Sequence, residues 1–511
     1  MDRNPGPGLL VAIDVGTSGA RAAAFDLEGR RLLEARRAYP THSPHEGWAE
    51  QDAGAWRRAA IAALADLVGR LGADGRGRAG DVRAIGLTGQ CPSVVLVDRR
   101  GRPVTPGLIY RDNRAFAEAA GIRQRFGDLA IHRRTGHLPS AFHIAPKLLW
   151  LREHEPAAFT RAAFALQPRD LVGLALTGVT ATDGTHAAAT LVYDLRAGEW
   201  DRRLLGDLAL DPALFPPVRP SGAVLGGLLG SVAARVGLPA DVPVVIGGAD
   251  SQACALGAGV VAPGPVSEMA GSSTCLNAVV PVPLDVLAVA HYPHVFPGPF
   301  TTETGINTTG AAVAWLAGLA YGGRTSRPRA ADYARLDAET AAVPPGSYGL
   351  LALPVFGDGE RTDPRLRGAF VGLSLRHGRG AMARAILEGV AFAMADQLEL
   401  LRSGGAPVTE LRVSGGDTRL SVWTRIKADV LGIPVRMVPG DAAVTGVAML
   451  AGIGAGIYRD PSEAVARCVR PDAAVEPDPG VAAAYADSAA AYRAMAASDA
   501  VRARSMQVAG G

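Results

Sequence analysis

The sequence predicts an α/β fold with mixed sheets, divided between two domains. The chain has 511 residues, which is more than a single hydrophobic core normally serves. Strand patterns and helical patterns alternate along it without a strict βαβ repeat, which favours mixed sheets. A strand, a turn rich in Gly, Ser and Thr, and a second strand occur at residues 9–26 and again at 264–280. Such a repetition is typical of a chain built from two related halves.

The composition is that of a globular enzyme. Hydrophobic residues make up 48% of the chain and charged residues 20%, which excludes a disordered protein. A net charge of +3 gives no reason to expect a nucleic-acid or membrane partner. The four cysteines, at positions 91, 254, 275 and 468, lack metal-binding spacing, so we expect reduced thiols. No signal peptide or transmembrane segment is visible, and we therefore expect a cytoplasmic protein.

The first strand–turn–strand unit carries residues suited to binding a phosphate group. A strand reaches Asp14, a Gly-Thr-Ser-Gly turn follows at residues 16–19, and Arg21 lies in the next strand. The two glycines permit a positive φ and a close approach to a ligand, while the amides and two hydroxyls form an anion-binding concavity. Arg21 adds a bidentate contact to phosphoryl oxygens. Asp14 would repel phosphate and instead suits a hydrated Mg²⁺, although an ordinary β-hairpin remains the alternative.

The remaining elements follow from the periodicity of apolar residues. In the first half we expect a strand at 30–39, a helix at 53–71, a strand at 82–88, a hairpin at 94–103, a helix opened by residues 109–114, and a strand at 243–246. In the second half we expect a helix at 305–316, a polar loop at 357–364, a helix at 379–401, a strand at 411–413, a helix at 421–430 and a closely packing small-residue helix at 443–455. The expected domains are 1–255 and 256–485, followed by a helical or frayed tail at 486–511.

Taken together, these turns resemble the FGGY carbohydrate kinases, most closely the xylulokinase-like branch, from residue 11 to about residue 456. The matching stretches are the first phosphate loop at 14–18, a Trp-x-Glu-Gln-x segment at 48–52, the catalytic turn at 248–251, the second phosphate loop at 271–273, a Gly-Glu-Arg-Thr marker at 359–362 and the adenosine loop at 414–417. Each motif alone is weak. Their order and separation make the resemblance specific.

The resemblance implies two ribonuclease-H-like domains, as in actin, hexokinase and heat-shock chaperones, with an interdomain ATP cleft. It also implies phosphorylation of a sugar or polyol hydroxyl with ATP and Mg²⁺ as cofactors. Asp250 would then be the general base, the alternative being an N-cap for the following helix. Asp14 and Asp250 would serve the metal. The implied nucleotide-binding residues are Gly16, Thr17, Ser18, Arg21, Gly271, Ser272, Ser273, Gly310, Gly415, Gly416 and Asp417; Gly310 could equally be a plain turn residue.

The substrate region departs from the xylulokinase pattern. Those relatives have Gly-Gln-Met-His where this chain has Gly-Gln-Cys-Pro at residues 89–92, so the histidine is lost and Pro92 offers no backbone donor. Buried polar contacts discriminate between polyhydroxylated ligands. Xylulose itself therefore does not follow from the resemblance. A ketopentose such as xylulose is the leading expectation, with an erythritol-, ribulose- or glycerol-like substrate as the alternative. The candidate substrate residues are Gln90, Cys91, Ser93, Tyr110, Asp112, Phe142, His143, Ser251 and Gln252; for His143 a structural role is equally expected.

A second class remains open, namely an actin-like nucleotide-binding protein or a degenerate kinase that acts as a sensor. The presence of both Asp14 and Asp250 argues against it. A P-loop NTPase is excluded because neither lysine of the chain, Lys147 or Lys427, stands in a Gly-x-x-x-x-Gly-Lys-Ser/Thr setting. The expected partner is a small sugar or polyol, with the oligomeric state open, a homodimer included.

Overall fold

A computed structural model of the protein describes residues 8–322, 328–357, 359–360, 363, 365–416 and 420–502. Its first elements, in chain order, are β1 (Leu9–Val15), β2 (Gly19–Asp26), β3 (Arg31–Ala38), β4 (Glu50–Gln51), α1 (Ala53–Ala73), β5 (Val82–Gly89), β6 (Val95–Val97), β7 (Gly107–Leu108), α2 (Phe116–Phe126), α3 (Asp128–Thr135), α4 (Ile144–His154), α5 (Pro156–Arg161), β8 (Phe164–Leu166), α6 (Pro168–Thr177), β9 (Thr182–Asp183), α7 (Gly184–Ala188), β10 (Tyr193–Asp194), β11 (Glu199–Trp200), α8 (Arg202–Asp207), β12 (Val218–Arg219), β13 (Val224–Gly227), α9 (Gly230–Val236), β14 (Pro243–Val245) and α10 (Asp250–Gly257). The later elements are β15 (Gly264–Ala270), β16 (Thr274–Val280), β17 (Ala290–Pro293), β18 (Phe300–Ile306), α11 (Gly310–Ala317), α12 (Ala330–Ala341), β19 (Leu351–Leu353), β20 (Ala369–Val371), α13 (Arg379–Ser403), β21 (Val408–Gly415), α14 (Ser421–Leu431), β22 (Val435–Met437), α15 (Ala442–Gly454), α16 (Pro461–Cys468) and α17 (Pro479–Ala497).

The chain folds into two compact units, as the sequence predicts, but neither unit is continuous in sequence. Unit 1 contains the chain through Val261 together with Val279–Thr302 and Asp441–Val469. Unit 2 contains Ala262–Ala278, Glu303–Gly440 and the chain from Arg470 onward. The segment that carries α15 and α16 therefore lies in unit 1, whereas the boundaries expected from sequence were continuous.

The sheet of unit 1 has the order β13-β14-β5-β1-β2-β3. Strand β1 pairs antiparallel with β2 and parallel with β5, and all seven of its residues are buried. A central strand covered on both faces needs an uninterrupted apolar run, which explains why the charged Asp14 stands only near the end of the strand. Helix α1 begins where the Asp52 side chain accepts a hydrogen bond from the amide of Gly54, and it packs Trp56 and Leu64 into the core of this sheet.

The sheet of unit 2 contains the order β18-β16-β15-β21-β22. Strand β15 pairs antiparallel with β16 and parallel with β21, so it repeats the pairing of β1 with β2 and β5. The repetition of strand, turn and strand that the sequence predicts is therefore confirmed. In both sheets the tight turn lies at the end of a strand with one antiparallel and one parallel neighbour.

Close packing of two glycine-containing helices explains why α15 belongs to unit 1. A Cβ added to Gly446 of α15 would lie 1.9 Å from the carbonyl oxygen of Ala253 in α10. A Cβ added to Gly257 of α10 would lie 1.8 Å from the carbonyl oxygen of Ala442. Both distances are far below van der Waals contact, so the helices approach as closely as their backbones allow. The prediction that the small-residue helix packs closely is confirmed.

The hairpin expected at 94–103 is present: Val97 bridges Pro103, and the amide of Asp98 donates to the carbonyl of Arg102 at 2.9 Å, while β6 also pairs with β8. Two local predictions are wrong in detail. The helix expected from 109–114 begins only at Phe116, because the amide of Asp112 instead closes a turn onto the carbonyl of Ile109. The helix expected from residue 305 begins at Gly310, since the preceding residues complete β18.

No helix in the described ranges combines the length and hydrophobicity that crossing a bilayer requires.

Candidate active site

The turn after β1 presents its amides because its carbonyl groups are already bonded. The Gly16 amide donates to the carbonyl of Gly19 at 3.1 Å and closes the turn. The Tyr39 hydroxyl donates to the carbonyl of Gly16 at 2.6 Å, and the Gln51 side-chain amide donates to the carbonyl of Thr17 at 2.7 Å. Ser18 is exposed. A turn with bonded carbonyls and accessible amides suits an anion.

Glycine is needed in this turn because a side chain would have no room, more than because of its backbone conformation. A Cβ at Gly19 would lie 2.4 Å from the carbonyl oxygen of Arg37 on β3, so only glycine fits there. Gly16 is not among the glycines with positive φ, and the expectation of a left-handed conformation at that position is therefore wrong. Hydrogen bonding from the turn itself is enough to bend the chain at Gly16.

Arg21 lies between two carboxylates. It stands opposite Asp14 in the β1–β2 register, and its Nε donates to Asp14 Oδ2 at 2.8 Å. Its Nη1 donates to Oδ2 of Asp441, the residue that precedes α15. Burial raises the pKa of Asp14, Arg21 opposes this rise, and the charge of Asp441 adds to it. The sequence predicted Asp14 and Arg21 but missed Asp441, which no motif marks.

Asp250 is the first residue of α10 and is half-buried. Its Oδ1 accepts from the amide of Ser251 at 2.8 Å, while the residue in the N-cap position is Ala249, which has no capping side chain. Burial, and after it the carboxylates of Asp250 and Asp183, raise the pKa of the Cys91 thiol. Asp250 therefore lies near the segment that the sequence assigned to substrate binding.

The turn that leads into Asp250 is fixed at nearly every backbone group. Gly247 adopts φ +72°, and a Cβ there would lie 1.7 Å from the carbonyl oxygen of Leu87. The Gly248 carbonyl accepts from the Thr88 hydroxyl at 2.7 Å, and the Ala249 amide donates to Thr185 Oγ1 at 2.8 Å.

Arg169 supplies the remaining support of this turn. Its Nη1 donates to the carbonyls of Ile246 and Gly247. Its Nη2 donates to Asp183 Oδ1 at 2.9 Å, and both side chains are fully buried. Although burial alone would raise the pKa of Asp183, Arg169 and His186 hold it well below its usual range. Sequence reasoning missed this ion pair. The one local signal was the pattern Asp-Gly-Thr at residues 183–185, in which Asp183 caps α7.

The predicted substrate residues divide into two groups, of which the first lies near the Asp250 turn. Gln90 is 2% exposed. Its side-chain Nε2 donates to Gln51 Oε1 at 2.9 Å, and its Oε1 has no partner among the described residues. Cys91 is half-buried. The Oγ of Ser251 accepts from the side-chain Nε2 of Gln252 at 3.3 Å. These four side chains offer hydroxyl, thiol and amide groups near one carboxylate.

The second group consists of polar and aromatic side chains that contact one another in pairs. Ser93 Oγ accepts from the amide of Tyr110 at 3.2 Å, and the Tyr110 ring meets the Phe142 ring edge-on at 6.3 Å. His143 Nδ1 lies 3.1 Å from the carbonyl oxygen of Ala189. Beneath them, the buried Lys147 ammonium donates to the carbonyls of Ile109 and Phe142 at 3.0 and 2.9 Å. Burial lowers the pKa of Lys147 to about 7, against the opposing charge of Asp112.

Asp112 itself has a structural set of contacts. It is fully buried; its Oδ2 accepts from the amide of Ala49 at 2.7 Å, and both oxygens accept from Arg114. The Arg114 guanidinium lies 3.6 Å above the Trp48 ring and 4.9 Å from the Trp150 ring. Since these bonds engage both oxygens of Asp112, its contacts are those of a loop anchor.

Unit 2 has its own glycine- and serine-containing turn between β15 and β16. The exposed residues 271–273 receive three amide bonds from the start of α11: Thr309 and Ala311 donate to the carbonyl of Ser272, and Gly310 donates to the carbonyl of Gly271. Gly415 adopts φ +112°, and a Cβ there would lie 2.1 Å from the carbonyl oxygen of Ala270. The structure thus brings together the predicted residues Gly271, Ser272, Ser273, Gly310, Gly415 and Gly416.

The adenosine loop and the Gly-Glu-Arg-Thr marker of unit 2 lie only partly within the described residues. Asp417 lies outside the described residues. Of the marker at 359–362, Arg361 and Thr362 also lie outside them, while Glu360 Oε2 accepts from the amide of Asn307 at 2.9 Å. The loop before α11 and the marker are thus in direct contact.

Comparison with known proteins agrees with this geometry. The sequence matches the N-terminal domain of the FGGY family of carbohydrate kinases over residues 9–257 and the C-terminal domain over residues 267–455. A xylulose kinase from Bacillus subtilis (strain 168) is 29% identical over 92% of each chain. A glycerol kinase from Leptothrix cholodnii is 34% identical over 88% of this chain and 91% of its own.

The structure agrees with the same family. A xylulose kinase from Rhodospirillum rubrum has a TM-score of 0.86 and 33% identity, covering 95% of this chain and 98% of its own. The units of this chain are accordingly domains of the actin and hexokinase type, as expected. The matched motifs, the repeated turns and these relatives lead to one conclusion: the chain belongs to the FGGY family of carbohydrate kinases and is a phosphotransferase.

Proposed function

We propose that this kinase transfers the terminal phosphoryl group of ATP to a hydroxyl of a ketopentose such as xylulose, with Asp250 as the general base. The observation that carries the proposal is the fixed turn before Asp250, in which Arg169, Thr88 and Thr185 bind the backbone groups. A turn held so firmly positions one half-buried carboxylate, as general base catalysis requires.

In the proposed reaction, Asp250 accepts the proton of the attacking hydroxyl. The hydroxyl oxygen bonds to the terminal phosphorus of ATP, and the bond from that phosphorus to the bridging oxygen breaks, so that ADP leaves. The amides after Gly16, with Thr17, Ser18 and Arg21, hold phosphate oxygens, as do Gly271, Ser272 and Ser273. We assign Gly310, Gly415, Gly416 and Asp417 to the adenosine group. Because the transition state is largely dissociative, positioning and charge neutralisation contribute most of the catalysis.

The carboxylates fit Mg²⁺. Burial raises the pKa of Asp14 although Arg21 opposes the rise, so Arg21 compensates the buried carboxylate only in part, and only its Oδ2 is hydrogen-bonded within the described chain. Carboxylate oxygens of this kind are the hard ligands that Mg²⁺ prefers. Asp14 would hold the ion through water, with Asp250 as the second carboxylate. When bound, the ion would neutralise charge on the phosphate oxygens.

The substrate class rests on relatives and on the side chains near Asp250. Relatives with both names, xylulose kinase and glycerol kinase, match most of the chain, so the relatives alone do not choose between a ketose and a polyol. Gln90 Oε1, which is buried and has no partner in the described part of the chain, is an acceptor that a sugar hydroxyl would satisfy. Ser251 and Gln252 offer further hydroxyl and amide groups for a polyhydroxylated ligand.

The test is a coupled ADP-release assay with pentuloses, hexuloses, tetritols, pentitols and glycerol as acceptors. Asp250→Asn removes the base while keeping the shape of the side chain. Asp241→Asn, at an exposed aspartate just before β14, is the matched control. We expect a pentulose to give the strongest response, and we expect Asp250→Asn, but not Asp241→Asn, to lower kcat by at least about a thousandfold.

A strongest response from a polyol would transfer the proposal to that acceptor class. ATP binding with no acceptor response would contradict the kinase proposal for these substrates. Full activity in Asp250→Asn would overturn the role of Asp250 while leaving the reaction intact.

A further inference from the structure

Asp441, a residue that no motif assigns, contacts Arg21 in β2, the strand that follows the first turn. Arg21 donates from Nη1 to Asp441 Oδ2 and from Nε to Asp14 Oδ2. The three side chains are 31% (Asp441), 19% (Arg21) and 12% (Asp14) exposed. One guanidinium is thus shared between two carboxylates, and Asp14 receives a single N–H from the residues that the structure describes.

The position of Asp441 is set by the helix that it caps. Its side chain accepts from the amide of Val444 at 3.3 Å, and its carbonyl accepts from the Thr445 hydroxyl at 3.0 Å. The same helix, α15, packs backbone to backbone against α10 at Gly446 and Gly257. Since α10 begins at Asp250, one helix supports both Asp441 and the helix that carries the proposed base.

Guanidinium groups bind carboxylates most strongly through two parallel N–H bonds. Without a second acceptor, Arg21 would be free to bind Asp14 in that bidentate way and would occupy both of its oxygens. Asp441 engages Nη1 and so keeps the contact with Asp14 to Nε alone. The second oxygen of Asp14 then remains for a hydrated cation.

We propose that Asp441 is a positioning residue that divides the Arg21 guanidinium between two acceptors and thereby keeps Asp14 open to Mg²⁺. The proposal rests on the proposed function, because it assumes that nucleotide binds at the Gly16–Arg21 region with the metal at Asp14. It goes beyond that function by giving a role to the residue that caps α15 and acts through Arg21.

Calorimetric binding of ADP with and without Mg²⁺ tests the proposal without any turnover. Asp441→Asn keeps the N-cap, since Asn caps helices as well as Asp does, but it weakens the hold on Arg21. Asp460→Asn is the matched control, because Asp460 caps α16 through the amide of Glu463 in the same way. Asp441→Glu keeps the charge at a different reach and serves as the second variant.

We expect Asp441→Asn to reduce the enhancement of ADP affinity by Mg²⁺ at least about tenfold, with ADP affinity in the absence of Mg²⁺ unchanged or higher. Asp441→Glu should restore part of the enhancement, and Asp460→Asn should retain all of it. In an Arg21→Met background, Asp441→Asn should have no further effect, because residues that act through one another are not additive.

An unchanged Mg²⁺ enhancement in Asp441→Asn, an equal loss in Asp460→Asn, or additive effects with Arg21→Met would each overturn the proposal. If the unaltered protein binds no ADP under either condition, the proposed function itself fails, and that result is distinct from the other three.

Discussion

At the scale of single residues, glycine turns indicated candidate ligand-binding groups, whereas the residues that hold those turns in place left no local pattern. Asp14, Arg21 and Asp250 stand next to glycine turns, and such turns are local patterns that can be read from neighbouring residues. Arg169 and Asp183 are 14 positions apart and meet only through folding. A long-range buried pair leaves no periodicity or spacing, and for that reason it was missed.

Arg169→Met is expected to destabilise the protein by about 3–5 kcal/mol, because it leaves the Asp183 carboxylate buried without its cation. It should also lower kcat more than it raises KM, since the carbonyls of Ile246 and Gly247 lose their donor. Urea unfolding and steady-state kinetics measure the two effects. The control is Arg30→Met, which breaks an exposed pair with Asp26 and should cost less than about 1 kcal/mol. Equal losses in both variants would refute the importance of burial.

At the scale of elements, the strands and long helices were well predicted because their apolar patterns are strong. The helix expected at 53–71 is Ala53–Ala73, and that expected at 379–401 is Arg379–Ser403. The errors occur where hydrogen bonds form a turn in place of a helix, as at Asp112, whose amide donates to the carbonyl of Ile109. What the pattern could not reveal is the partner of each element. A run of small residues predicts a close approach, but the identity of α10 as the neighbour of α15 depends on tertiary structure.

Gly446→Ala is expected to destabilise the protein by about 1–3 kcal/mol, because the added methyl group has no room beside the Ala253 carbonyl and forces α15 away from α10. Gly69→Ala in α1 is the matched control. No atom lies within 4 Å of a Cβ at Gly69, so removing a helical glycine there should stabilise by about 0.5–1 kcal/mol. Thermal and urea unfolding would show opposite signs for the two changes. A Gly446→Ala protein as stable as the unaltered one, or more stable, would contradict the close packing of α15 on α10.

At the scale of the whole molecule, buried histidines make stability depend on pH. Burial lowers the pKa of His291 and of His294 to about 4, and in His294 a bond to the Val260 carbonyl opposes the shift only in part. Below pH 6.5 the unfolded chain binds a proton at each site, while the folded chain does not until about pH 4. The contribution of these two histidines to the free energy of unfolding is therefore complete above pH 6.5, and it is lost as the pH drops from 6.5 towards 4.

The expected slope is about 1.4 kcal/mol per pH unit for each histidine in that window. His294→Gln keeps a donor for the Val260 carbonyl and should remove one histidine's share of the slope. His45→Gln, at an exposed histidine, should leave the slope unchanged. Urea unfolding between pH 4 and pH 7.5 measures it, and parallel profiles for His294→Gln and the unaltered protein would contradict the prediction.

Unit 1 is completed by residues made late in synthesis. The ribosome finishes β1, β5 and α10 long before it reaches α15, whose backbone covers Gly86 and whose Gly452 lies against Leu10. Until then, that apolar face of the nascent chain has no cover, and incomplete chains of this kind are prone to aggregate. A chain ending at Gly440 should accordingly be cleaved rapidly by protease within unit 1, and supplying residues 441–469 as a peptide should slow the cleavage. If the shortened chain resists protease unaided, late completion is not required. Otherwise the apolar face of unit 1 depends on protection during translation until α15 and α16 have been synthesised.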